Sequence, residues 1–147
     1  MRILALDIGD RRIGVAVSDP TGLIARPLAI IIRKDDHIDI QTIAELAHNH
    51  GVECIIVGLP LSLDGYPGPQ ADKVRCFTTK LATATNTPLE FRDERFSTIT
   101  AREYRLGSGV GRKKRRAPDD DTAAAVILQS YLDETRSHAI HDSPPML

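Results

Sequence analysis

Leu4-Ala-Leu-Asp7-Ile-Gly9, followed after a polar turn by Ile13-Gly-Val-Ala-Val-Ser18-Asp19, is the stretch whose reading decides the fold. Ile3 to Ile8 is an apolar, strand-like run with Asp7 near its end. Gly9, Asp10, Arg11 and Arg12 make a turn, and the second apolar run returns beside the first as a hairpin. An ionised Asp inside such a run is costly unless it is paired, hydrogen-bonded or bound to a cation. Two readings of Asp7 are open from these residues alone. It caps the turn through backbone N–H groups, or it is a functional carboxylate at the mouth of a central strand.

The next segments extend the sheet. Asp19-Pro-Thr-Gly22 is a turn by composition, and Leu23 to Ile32 reads as a third strand. Pro27 within it calls for an edge position or a bulge. Ile40, Ile43, Ala44, Leu46 and Ala47 fall at helical spacing, and Gly51 stands where a helix-terminating C′ glycine belongs. Val52 to Gly58 is short and rich in β-branched residues, which suits a buried parallel strand reached by a helical crossover. A turn-rich loop from Leu59 to Pro69, an amphipathic helix over 70–85 and a fifth strand at Leu89–Arg92 follow. Loops at the carboxyl ends of parallel strands are where α/β proteins place ligands.

Thr98 to Leu106 reads as a short helix. Residues 107–118 form a flexible loop containing Arg112-Lys-Lys-Arg-Arg116. The last helix opens in Asp119-Asp-Asp121, and acidic residues there also serve as cap and dipole partners. The expected organisation is one domain over 1–136 and a disordered tail over 137–147.

The bulk numbers exclude several classes. With 147 residues, 41% hydrophobic and 27% charged, the composition is that of an ordinary globular domain. No apolar run approaches a membrane span, and Met1-Arg2 leads directly into a strand, so the expected location is cytoplasmic, with no membrane partner. Cys54 and Cys76 lack any paired-cysteine pattern and read as buried free thiols. The five histidines form no ligand pattern. Net charge is −1, yet five of the 19 basic residues sit in the 112–116 run. Any nucleic-acid affinity is therefore concentrated there.

The element order βββ-α-β-α-β-α sets acidic groups at three element ends: Asp7, Asp93-Glu94 and Asp119–Asp121. If they converge, their repulsion calls for cations, and hard oxygen ligands suit one or two Mg²⁺ or Mn²⁺ ions. Two such ions about 3.5–4 Å apart are a standard device for phosphodiester hydrolysis. Arg11, Arg12 and Arg95 are placed to meet phosphate, as is the run Arg112, Lys113, Lys114, Arg115 and Arg116. With three Phe, three Tyr and no Trp, backbone and shape recognition fit better than base stacking.

Several motifs together resemble the YqgF (RuvX) family of bacterial proteins with an RNase H-like fold. They are Leu6-Asp7-Ile-Gly9, Arg12-Ile-Gly-Val-Ala-Val-Ser-Asp19, Val57-Gly-Leu-Pro-Leu61 with Asp64-Gly65, Asp93-Glu-Arg95 and Ala124-Ala-Val-Ile-Leu-Gln-Ser-Tyr-Leu132. The resemblance implies an α/β fold with a five-stranded mixed sheet, strands 1–3 antiparallel, flanked by helices. It also implies a metal-dependent nuclease that trims the 5′ end of pre-16S rRNA, with precursor ribosomal particles as partners. By position Asp7, Glu94 and Asp120 match the family's catalytic and metal-binding acids, with Asp120 chosen by counting back from Ala124 and Ile127-Leu128. Asp64 stays open as a substrate-positioning residue. Phe96-Ser97-Thr98 and Asp119 depart from the family's usual residues.

Two other functions stand beside this one. A Holliday junction resolvase would want a symmetric dimer, because it cuts two related strands; whether the chain is a monomer or a homodimer is left open. A non-catalytic RNA- or transcription-complex binder would gain nothing from an uncompensated acidic cleft.

Overall fold

The computed structural model describes residues 1–60, 68–94 and 119–142, with side chains at 123–135 of the last segment. Strands β1 (Arg2–Ile8), β2 (Arg12–Ser18) and β3 (Ala25–Ile32) lead into helix α1 (Asp36–Asn49). Strand β4 (Val52–Leu59), helix α2 (Pro69–Ala84), strand β5 (Leu89–Asp93) and helix α3 (Asp119–Asp142) follow. Among the described residues the strands form one sheet in the order β3-β2-β1-β4-β5.

The sheet is mixed for reasons local to each connection. Gly9 donates its N–H to the Arg12 carbonyl at 2.8 Å, closing a turn short enough to make β1 and β2 antiparallel neighbours. β3 pairs antiparallel with β2 at one edge. Its register slips between the Val15–Ala29 and Ala16–Pro27 pairs, so Pro27 sits at both an edge and a bulge, as its missing N–H requires. β4 and β5 are parallel to β1 because each is reached through a helix. α1 starts on Asp35, whose carboxylate accepts from Ile38 N–H at 2.9 Å, and ends before Gly51 at φ +62°.

The period of two in β1 divides the core. Leu4, Leu6 and Ile8 face α1 and α2, packing with Ile43, Val74, Phe77 and Leu81. Ile3 and Ala5 face the other way, and with Ala16 and Ile56 they receive Ala124, Ile127, Leu128 and Leu132 of α3. Ile127 and Leu128 are almost fully buried, each contributing about 1.5–3 kcal/mol of apolar burial. Asp7 follows Ile3 and Ala5 in parity, so it faces the α3 side.

Side-chain bonds pin α3 at both sheet edges. Gln129 accepts from Ala25 N–H at 2.9 Å and donates to the Leu23 carbonyl at 3.0 Å. Arg92 on β5 donates to Ser130 Oγ and Glu134 Oε2, both at 2.7 Å. Ile127 lies level with Gly58, while Tyr131 reaches back to Glu90. α3 therefore runs opposite to β1, β4 and β5, and its acidic first turn points toward their carboxyl ends.

Three expectations change. Leu23 and Ile24 precede β3, because the Asp19 carboxylate accepts their N–H groups at 2.8 and 2.9 Å. Those bonds, with the Thr21 hydroxyl bond first among them, hold the Asp19 carboxyl well below its ordinary value. α3 continues to Asp142, well past Ser137 where the tail was expected to begin. Neither Gly nor Pro interrupts the chain from Asp119 until Pro144, so nothing local stops the helix earlier. Cys54 is half-buried and Cys76 is exposed, since Cys76 lies off the buried stripe of α2. The expected helix at 98–106 and basic loop at 107–118 lie outside the described residues.

Candidate active site

Asp7 sits on β1 opposite Gly14, one residue before the strand ends. Glu94 follows immediately after β5, two strands away. The two carboxyls meet nonetheless and are hydrogen-bonded to each other. Glu94 is drawn across β4 at Gly58, where a hypothetical Cβ would stand 2.7 Å from Glu94 Oε1 and 3.0 Å from Glu94 Cγ.

Burial is the largest reason that the Glu94 carboxyl is pushed up to about 8; its hydrogen bond to Asp7 and the charges of Asp7 and Asp93 add to it. Without a cation, Glu94 therefore retains its proton near neutrality. A divalent cation would replace that proton and favour both ionised forms. The donor set is hard oxygen, which fits Mg²⁺ or Mn²⁺. Among the described residues no group of three His, Cys, Asp or Glu forms a metal cluster.

Beside Asp7 the β1–β2 turn opens into a hollow of about 350 Å³ lined by Asp7, Gly9, Asp10, Arg11 and Arg12. Arg11 and Arg12 are exposed at its rim. The turn is braced from behind by Arg33. Its Nη1 donates to the Gly9 carbonyl at 2.9 Å, Nε to Asp39 at 3.0 Å and Nη2 to Asp36 at 2.8 Å. The guanidinium lies over the Phe77 ring, 4.9 Å from its centroid, and Arg33 N–H reaches the Arg11 carbonyl at 2.8 Å. Sequence reading passed over Arg33 as part of a polar connection. It also passed over Gly58, although a glycine within a β-branched strand signals close approach of another group.

The structure thus brings Asp7 and Glu94 together and sets Arg11 and Arg12 beside Asp7. Asp120 lies in the first turn of α3, about 10 Å along the helix from Ile127 by helical rise, and its side chain is outside the described residues. Asp64, Arg95, Arg112, Lys113, Lys114, Arg115 and Arg116 are outside them as well. No described helix is long and apolar enough to cross a membrane.

Comparison with known proteins agrees with this fold. A Dehalococcoides mccartyi protein named "Putative pre-16S rRNA nuclease" is 49% identical over 128 residues, covering 87% of this chain and 95% of its own. A Halothermothrix orenii protein of the same name is 46% identical over 133 residues, covering 90% and 95%. Among solved structures, Thermus thermophilus RuvC in complex with Holliday junction substrate superposes with a TM-score of 0.66 at 17% identity, covering 93% of this chain and 96% of that one. The fowlpox virus Holliday junction resolvase gives 0.53 at 16% identity, covering 91% and 99%. These two share the RNase H-like fold with the present chain. The family described as RuvX: Holliday junction resolvase matches residues 1–134, and the chain belongs to that family.

Proposed function

We propose that this chain is a metal-dependent nuclease that hydrolyses phosphodiester bonds of structured RNA, with the 5′ end of pre-16S rRNA as its substrate, in the cytoplasm. The observation that carries the reading is the Asp7–Glu94 contact, two carboxyls held together by the fold at the open end of the sheet. The names of the relatives from Dehalococcoides mccartyi and Halothermothrix orenii support rRNA as the polymer.

Asp7 and Glu94 would hold Mg²⁺ or Mn²⁺, with Asp120 from the first turn of α3 as the third acid. A bound divalent ion supplies activation of the attacking water and neutralisation of the leaving oxygen. Arg11 and Arg12 hold the phosphates flanking the bond, because a guanidinium meets phosphate in bidentate fashion. The Arg33 brace keeps the turn that bears them in register with Asp7. Arg95, Asp64 and the Arg112–Arg116 run are assigned to the substrate strand by sequence position, and the basic run offsets the acidic site's repulsion of a polyanion.

DNA junction cleavage is the second reading, favoured by the description of the family and by the likeness to RuvC. The test is incubation of purified protein and Mg²⁺ or Mn²⁺ with a 5′-extended 16S rRNA precursor and, separately, with a four-way DNA junction. RNA cutting that falls at least about 100-fold in Asp7→Asn is the expected result. Junction cutting alone replaces the substrate, and cutting of neither by a folded protein that binds RNA refutes the nuclease reading.

A further inference from the structure

The Asp7–Glu94 contact poses a steric problem whose solution lies in a third residue. β1 and β5 are separated by β4, so their backbones stand about 9–10 Å apart at strand spacing. Gly58 occupies β4 between them: it pairs with Arg92 of β5 and follows Val57, which pairs with Leu6 of β1. Any side chain there would rise into the path of Glu94, at 2.7 Å from Oε1 and 3.0 Å from Cγ. The same Cβ would also stand 2.8 Å from Ile127 Cδ1 on α3, so Glu94 and Ile127 share the space over the bare Gly58 backbone. Gly58 does not have a positive φ, so space, and not backbone freedom, is what the position demands.

We propose that Gly58 is a positioning residue: its missing side chain is the channel through which Glu94 crosses β4 to reach Asp7. The proposal rests on the reading of Asp7 and Glu94 as the metal-binding pair. Alanine at 58 is compatible with the strand, and the fold accommodates it by turning the free ends of Glu94 and Ile127 aside. The carboxyl of Glu94 is then displaced from Asp7 while the sheet persists. A displacement of about 1 Å in a catalytic group is enough to cost about 100-fold in rate.

Two variants separate the roles of Glu94 and Ile127. Gly58→Ala meets both side chains, whereas Gly58→Ala/Ile127→Val removes the Cδ1 contact and leaves only the collision with Glu94. Each is compared with the wild type and Ile127→Val by Mn²⁺ titration calorimetry, RNA cleavage and crystal structure. The expected result is at least a 10-fold loss of Mn²⁺ affinity and about a 100-fold loss of turnover in both Gly58 variants. Their crystal structures should show an intact sheet and Glu94 turned away from Asp7. Recovery of wild-type Mn²⁺ binding in Gly58→Ala/Ile127→Val overturns the proposal, because the defect would then be overpacking against α3. Wild-type behaviour of Gly58→Ala alone overturns it too. If the wild type itself neither binds Mn²⁺ nor cuts, the metal-nuclease reading fails. The crystal structures then still decide the steric claim: Glu94 turned aside supports it, and Glu94 unmoved refutes it.

Discussion

Replacing Arg33 by alanine should be among the most destabilising single changes in this protein that leave the apolar core untouched. Asp39 is 1% exposed, and the Arg33 Nε at 3.0 Å is its partner from a charged group. After the substitution its carboxylate retains the Lys34 N–H at 3.2 Å. Removing one member of a buried ion pair costs about 3–5 kcal/mol, because the other charge stays buried and uncompensated. The Asp36 contact adds little, since that carboxylate is partly exposed and keeps Lys80 at 2.9 Å. Loss of the stack on Phe77 adds about 0.5–1 kcal/mol. The expected total of about 3.5–6 kcal/mol is a large share of the roughly 5–15 kcal/mol that holds a domain of this size folded.

Urea unfolding of wild type, Arg33→Ala, Asp39→Asn and the double variant closes a cycle. The double variant should be at least about 1.5 kcal/mol more stable than the sum of the single changes predicts, because Asn no longer strands a charge. A cost below about 1 kcal/mol for Arg33→Ala refutes the reasoning, as does additivity within about 0.5 kcal/mol. Arg33→Lys keeps a charge but not the fork that reaches Asp36, Asp39 and Gly9 together, so it should fall between the two.

Other expectations follow from single groups. Glu94 in the folded, metal-free protein holds its proton up to about 8, whereas in the unfolded chain it ionises near 4.5, so the folded state binds more protons in that window and its stability falls as pH rises through it. The unfolding free energy of the wild type minus that of Glu94→Gln should therefore fall between pH 4.5 and 8, and a flat difference would disprove the assignment. Gly51→Ala should cost about 1 kcal/mol in urea unfolding, since φ is +62° and nothing lies within 4 Å of the added methyl. Cys76, being exposed, should be alkylated well before Cys54, whose thiol is raised by burial and by the charge of Glu90; mass spectrometry of a timed iodoacetamide reaction reads the order.

Much of the architecture is legible along the chain because its signals are local. The alternation in Ile3–Ile8 and Ile13–Ser18, the tight turn at Gly9, Pro27 as an edge or bulge marker and Gly51 as a helix stop each follow from backbone chemistry within a few residues. The family motifs named the acids at three element ends. The exceptions are Leu23 and Ile24, where a neighbouring carboxylate outranks the local apolar pattern, and Cys76, which lies off the buried stripe of α2. Asp19 bonds held Leu23 and Ile24 out of the strand, and α3 met no helix breaker before Pro144.

The sequence by itself determined the order of the described strands and helices and nominated the acidic residues, since turn chemistry, periodicity and composition act over short distances. Only the tertiary structure decided that Asp7 and Glu94 touch, that Glu94 does so across Gly58, and that Arg33 braces the turn beside them. Which strands become neighbours, and in what register, is fixed by long-range pairing and by packing of α1, α2 and α3 on opposite faces. A contact that crosses an intervening strand leaves no periodic trace in the residues that make it.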